Sequence, residues 1–246
     1  MTRNDILDYL NTIFQYKDFT EKYSVNGLQI EGRDSINKIA FSVDTNLFTI
    51  EEAVRQKADM LISHHGLFWP NLSSITEITK KRIQLLMNSD ISLVGMHLPL
   101  DKHPEIGNNV SLIKLLNGKL ISEFGSVSYL AEWEEEKDLK EVSDILDTNL
   151  NTNTKCFDFS KGKAKTFGVC TGNGSSELYS LFGKQCDLFI TGELRYETIG
   201  LSREYGISLM VAGHYATETL GIKQLQNRIK NNLSVETIYI EDRIDY

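Results

Sequence analysis

Ile6, Leu7, Leu10, Ile13 and Phe14 recur at intervals of three and four, the spacing that lines one face of an α-helix. This predicts an amphipathic helix over 4–15, with Asn4 as its N-cap. The pattern then changes. KIAFSVD (38–44) is a short apolar run of the kind a buried strand needs, and FTIEEAVRQKA (48–58) turns Ile50, Ala53 and Val54 to one helical face. DMLISHHG (59–66) and ISLVGMH (91–97) are two more strand-like runs, separated by a helical KRIQLLMNSD (81–90). Strands alternating with helices predict an α/β fold with mostly parallel sheets.

The same order then recurs. KTFGVCTG (165–172) matches KIAFSVDT (38–45), and SSELYSLFGKQ (175–185) is placed like the helix after the first strand. QCDLFIT (185–191) matches KADMLIS (57–63), and GISLMVAGH (206–214) matches DISLVGMH (90–97). Shared order, spacing and Asp positions predict two similar, duplicated α/β units with a site in the crevice between them: a first unit over 1–130 and a second over 131–246. Between the copies, EWEEEKDLKEVSDILDTNL (132–150) reads as a solvated acidic helix, and NTNTK (151–155) as a connection.

Composition narrows the possible partners. With 34 acidic against 26 basic residues and a formal charge of −8, the chain lacks the basic face that neutralises duplex phosphates, so duplex nucleic acid is disfavoured as a partner. No apolar run approaches the roughly 20 residues of a membrane span. Asp5 and Asp8 interrupt the N-terminal apolar pattern, which does not fit a secretory signal. Cys156, Cys170 and Cys186 are odd in number and form no C-x-x-C, which suits reduced thiols in a cytoplasmic location.

In parallel α/β sheets, sites gather beyond the carboxyl ends of strands. His64 and His65 end one predicted strand, His97 ends another, and His214 ends its counterpart in the second half. Neighbouring side chains of a strand point to opposite sides, so His64 and His65 are expected to serve two adjacent ions rather than one. His97 and Asp101 flank a loop stiffened by Pro99, whereas His214 and Glu218, four apart on a helix, share a face. Three or four imidazoles and two carboxylates exceed one tetrahedral zinc and suit two divalent ions sharing a carboxylate. Without a thiol in the set, Zn, Fe, Mn, Co or Ni fit better than Cu(I) or an iron–sulfur cluster. His97 is equally suited to orienting a ligand, and His103 to a plain loop role. Glu193, ending the strand that matches the one before His64, is expected to carry a proton or to partner a ligand histidine. Cys170–Ser176 reads as either an anion-holding turn or a simple tight one.

The segments NGLQIEG (26–32), ISHHGLFW (62–69), GMHLPLDKHPEIGNN (95–109), FITGE (189–193) and AGHYATETLG (212–221) together resemble the GTP cyclohydrolase I type 2-like family, also called Nif-three-like. The resemblance runs in order through nearly the whole chain. It implies a duplicated α/β architecture in a ring-shaped homohexamer, with two divalent metals in each subunit. It also implies the ligands His64, His65, Asp101, His214 and Glu218, with Glu218 bridging, and moves His97 into a supporting role. One departure stands out: the resemblance implies that many relatives continue TGE with x-x-His-His, whereas this chain has Tyr196 and Glu197 at those positions.

The expected function is therefore metal-dependent hydrolysis, with opening of the purine ring of GTP to dihydroneopterin triphosphate and formate as the leading reaction. A nucleotide or pterin-like small molecule is the expected partner, and Glu193 and His97 are the expected catalytic residues. Two alternatives accompany it: a metal-dependent phosphoesterase or nucleotidase, and a metal-handling regulatory protein without turnover, to which the missing His-His pair points.

Overall fold

The apolar face of Ile6, Leu7, Leu10 and Phe14 does fold as a helix, α1 (Arg3–Phe14). Its N-cap, however, is Thr2. The Thr2 hydroxyl accepts from Asp5 N while the Asp5 carboxylate accepts from Thr2 N, a reciprocal box in which Asn4, already helical, has no part.

The computed structural model describes residues 1–70, 72 and 74–244. In chain order, α1 is followed by β1 (Gly27–Ile30), β2 (Lys38–Ser42), α2 (Leu47–Arg55), β3 (Met60–Ser63), α3 (Glu77–Asn88), β4 (Ser92–Gly95), α4 (Leu98–Lys102) and α5 (Asn108–Leu115). Then come β5 (Lys119–Phe124), β6 (Ser128–Asp138), α6 (Leu139–Leu150), β7 (Lys155–Phe157) and β8 (Lys163–Asn173). A 3₁₀ turn (Glu177–Leu181) leads to β9 (Leu188–Glu193), α7 (Tyr196–Tyr205), β10 (Ser208–Val211), α8 (His214–Asn232) and β11 (Glu236–Tyr239). Among the described residues, no helix is long and apolar enough to cross a membrane.

Two compact units form, Met1–Leu100 with the chain from Ile222 onward, and Asp101–Gly221. These bounds differ from a division at 130/131, which falls inside β6. The C-terminal segment returns to the first unit because β11 pairs in parallel with β2. The first sheet, ordered β1-β4-β3-β2-β11, is parallel except for β1. The second, β5-β6-β8-β9-β10-β7, keeps a parallel core of β8, β9 and β10 but adds antiparallel β5, β6 and β7.

The duplication read from the sequence is visible in these orders. Each sheet contains three parallel strands consecutive in this order (β2, β3, β4 and β8, β9, β10), and an antiparallel strand that precedes them in sequence (β1 or β7) borders the third. The matched aspartates do matched work. Asp59 Oδ2 accepts from the amides of Asn37 and Lys38, and Asp187 Oδ2 from those of Lys165 and Thr166. Each carboxylate thus ties the start of one strand to the start of its neighbour.

Apolar clusters fill each unit, with Ile50, Leu61, Leu86 and Leu93 in the first and Phe167, Leu188, Ile190 and Met210 in the second, all fully buried. Burying one such side chain is worth about 1.5–3 kcal/mol. The segment 132–150 is not one helix: β6 runs to Asp138 and α6 begins at Leu139. Trp133 explains the difference. Its ring stacks on Phe167 with centroids 4.0 Å apart and its Nε1–H donates to Leu116 O at 2.8 Å, which fixes this stretch on the sheet despite the glutamates that follow. The helix expected over 175–185 is only the 3₁₀ turn, with Leu178 and Leu181 buried.

Candidate metal centre

In the first unit, β3 stops at Ser63 and the next two residues carry imidazoles. The His64 and His65 amides donate to Ser42 O and Val43 O. Their rings do not point to opposite sides: the centroids lie 4.8 Å apart, because strand alternation has ended before the pair begins. His97, two residues beyond β4, joins them at 5.2 Å from His64 and 5.7 Å from His65. Ligand nitrogens of the three lie within 4.8 Å of one another.

Each ring is held through Nδ1. His64 Nδ1–H donates to Met96 O at 3.0 Å, and His65 Nδ1–H to Asp44 Oδ1 at 2.8 Å. An Nδ1–H engaged in this way leaves the lone pair on Nε2, the arrangement found when histidine binds a metal through Nε2. His97 Nδ1 meets the buried carboxylate of Glu21. Glu21 Oε2 in turn accepts from Asn26 Nδ2 at 2.9 Å and Leu98 N at 3.3 Å, while Asn26 Oδ1 accepts from His97 N at 2.8 Å. Asn26 is thus one of the holders of His97.

In the second unit, α8 begins at His214, so the predicted i, i+4 pair forms: His214 Nε2 lies 3.1 Å from Glu218 Oε2. On its other side His214 Nδ1 lies 3.0 Å from Glu193 Oε1. Of the two roles expected for Glu193, this geometry displays the histidine partner. Asp101 falls within the short helix α4 rather than a loop, with Pro99 in the first turn where it suits a helix. Its Oδ1 accepts from Asn108 Nδ2 at 2.8 Å and from the Thr171 hydroxyl at 3.4 Å. Asn109 Nδ2 donates to Asp101 O and to Val127 O, and its Oδ1 accepts from Thr171 N at 2.7 Å. Behind them Tyr129 Oη donates to Lys102 O at 2.5 Å, and burial pushes this phenol up to about 12, so it remains a donor across the ordinary pH range.

Both carboxylates are buried, Asp101 at 5% and Glu218 at 4% exposure, and their oxygens lie within 4.8 Å of one another. Two buried carboxylates this close favour a cation between them. Gly172 belongs to the same arrangement. Its backbone, at φ +63°, sits where a Cβ would be 2.0 Å from Glu218 Oε1, so Cys170–Ser176 acts as a close-approach turn beneath the carboxylate. The nearby thiol belongs to none of these clusters: Cys170 is buried, and its Sγ–H donates to Thr171 O at 3.7 Å. Imidazoles and carboxylates without thiolate suit hard to borderline divalent ions, so the residues fit the group that the resemblance implies.

The structure therefore gathers His64, His65 and His97 in one unit and Asp101, Glu193, His214 and Glu218 in the other. Reading the sequence missed Glu21, Asp44, Asn108 and Asn109, and saw Thr171 and Gly172 only as part of a turn. Asp44 had a usable signal, since it follows β2 at a strand's carboxyl end. His103 takes the loop role: its Nδ1 accepts from the amides of Glu105 and Ile106. Tyr196 is 89% exposed at the start of α7.

Known proteins extend these observations. The chain is 38% identical to a Pyrococcus horikoshii protein named GTP cyclohydrolase 1 type 2 homolog, over 98% of both chains. It is 40% identical to a Haemophilus influenzae protein of the same name, over 85% of both. Among solved structures, protein ybgI, described as of unknown function, superposes with a TM-score of 0.95 at 32% identity over the full length of both chains. A Thermus thermophilus protein does so with a TM-score of 0.90 at 29% identity over 99% of both. The family described as Duf34/NIF3 (NGG1p interacting factor 3) matches residues 1–244, as the motifs around His64, Asp101 and His214 led one to expect, and the chain belongs to it.

Proposed function

We propose that His64, His65, Asp101, His214 and Glu218 hold two divalent metal ions (Zn, Fe, Mn, Co or Ni), with Glu218 shared, and that the protein is a hydrolase acting on a nucleotide. Ring opening of GTP to dihydroneopterin triphosphate and formate is the leading reaction. The observation that carries this reading is the common posture of three imidazoles. His64, His65 and His214 each engage an oxygen through Nδ1 (Met96 O, Asp44 Oδ1 and Glu193 Oε1), a posture that His97 shares against Glu21 and that leaves Nε2 for other partners, in His214 Glu218 Oε2 at 3.1 Å. The names of the relatives support the choice of GTP.

Bound divalent ions at such a site supply Lewis acidity and a potent nucleophile near neutral pH. The chain's own residues do the rest. Asn108 and Thr171 fix the Asp101 carboxylate, Gly172 lets Glu218 settle against the backbone, and Glu193 sets the His214 ring. His97, braced by Glu21, is the group beside the ligand histidines able to orient or exchange a proton. In the same reading the chain assembles as a homohexameric ring in the cytoplasm.

The test is incubation of the metal-loaded protein with GTP. Formate and a fluorescent pterin are expected; phosphate without formate would mark a phosphoesterase instead, and no product with any of the five metals would reject the hydrolase. A second reading, metal handling without turnover, draws on one observation. Glu193 is occupied with His214, and Tyr196 and Glu197 stand where the family resemblance leads one to expect a His-His pair. Metal transfer to a partner protein, unaffected by Glu193→Gln, would favour it.

A further inference from the structure

Two motif segments, NGLQ and HHGLFW, are only partly used by the metal centre, and they meet each other. Gln29 of β1 reaches the loop after His65: its Oε1 accepts from Leu67 N at 2.7 Å while its Nε2–H donates to Val25 O at 2.6 Å. A Cβ on Gly66 would lie 2.0 Å from Gln29 Nε2, so the glycine is what lets the amide approach. The loop pinned in this way divides its side chains. Leu67 and Phe68 join the apolar core around Leu61 and Ile83.

Trp69 goes elsewhere. Its indole Nε1–H donates back to Gly66 O at 2.9 Å, which fixes the ring plane, and the ring stands edge-on to His97 with centroids 5.2 Å apart and 5.9 Å from His65. It is half-buried. The other tryptophan shows what a packing role looks like in this chain: Trp133 is 3% exposed and stacked on Phe167. A rigid, partly open indole set against imidazoles beside a metal centre is instead suited to a planar heteroaromatic ring, which stacks on aromatic faces regardless of its hydrogen-bonding edge.

We propose that Trp69 is the platform on which the guanine ring of the substrate stacks, with Gln29 as the positioning residue that holds its loop. This rests on reading the site as one that takes a nucleotide. Stacking of a base on an aromatic residue changes affinity by roughly ten-fold or more when the ring is removed.

The chain's two tryptophans make the test direct. GTP and guanosine, titrated into the metal-loaded protein, are expected to quench tryptophan emission, and inorganic triphosphate is not. W69F, retaining only buried Trp133, is expected to lose the quench while binding GTP within about three-fold of wild type by calorimetry. W69A is expected to bind roughly ten-fold or more weakly. A W69A protein that folds and binds GTP as tightly as wild type overturns the platform but leaves the nucleotide reading standing. Should W69A not fold, W69F decides, and an unchanged quench in W69F overturns the proposal. Absence of any GTP or guanosine binding to the wild type overturns both the platform and the nucleotide reading.

Discussion

Gly172 and Glu218 lie so close that a Cβ on the glycine would be 2.0 Å from Glu218 Oε1, and it would be 3.3 Å from His214 Nε2. The backbone and the Glu218 and His214 side chains are therefore one piece of construction, and the glycine's φ of +63° is part of it. Gly172→Ala is expected to cost about 1–2 kcal/mol from the left-handed backbone alone, a fall in melting temperature of about 2–8 °C for a chain of this size. It should also displace Glu218 and lower bound metal. Unchanged metal content by mass spectrometry would separate the glycine from the site.

Glu193 tests the support of a ligand from the other side. With its carboxylate 3.0 Å from His214 Nδ1, Glu193→Gln should leave the fold intact but weaken metal binding about 10–100-fold, the usual consequence of losing a carboxylate behind a ligand histidine. Competition with a chelator measures this. Unaltered affinity would assign Glu193 some other role.

How much of this was legible beforehand varies with the kind of signal. The parallel strands read clearly because β2, β3 and β4 are continuous apolar runs, and the matched Asp59 and Asp187 carried the duplication. His214 and Glu218 read clearly because a helix fixes side chains four apart on one face. Trp133 did not: nothing local to EWEEEK says that this ring will stack on Phe167, so the glutamates dominated the reading. Glu21 and Asn109 were missed for the same reason. Their partners, His97 and Thr171, are 76 and 62 residues away in sequence, and only the folded chain brings them together. The return of β11 to the first sheet is likewise a long-range pairing with no local mark.

The matched aspartates make a quantitative prediction. Asp59→Ala and Asp187→Ala each leave two strand-start amides without their carboxylate, and each should cost about 1–3 kcal/mol. A lower urea midpoint in both variants is expected. An unchanged midpoint in either would mean that the duplicated tie does not contribute to stability.

The thiols should behave unequally. Cys156 is exposed, whereas Cys170 and Cys186 are buried, and desolvation pushes the Cys186 thiol up to about 12. A disulfide reagent at pH 8 is expected to label one thiol per native chain and three after denaturation, because only the thiolate reacts. Rapid labelling of all three in the native protein would contradict the burial of Cys170 in β8 and of Cys186 just before β9.

The central proposal is that this chain holds divalent metal through imidazoles and carboxylates, His214 among them. Metal analysis of the purified wild type and of His214→Ala tests it most directly. Two ions per chain in the wild type and the loss of at least one in the variant are predicted. Retention of both ions by a folded His214→Ala protein would contradict the ligand assignment.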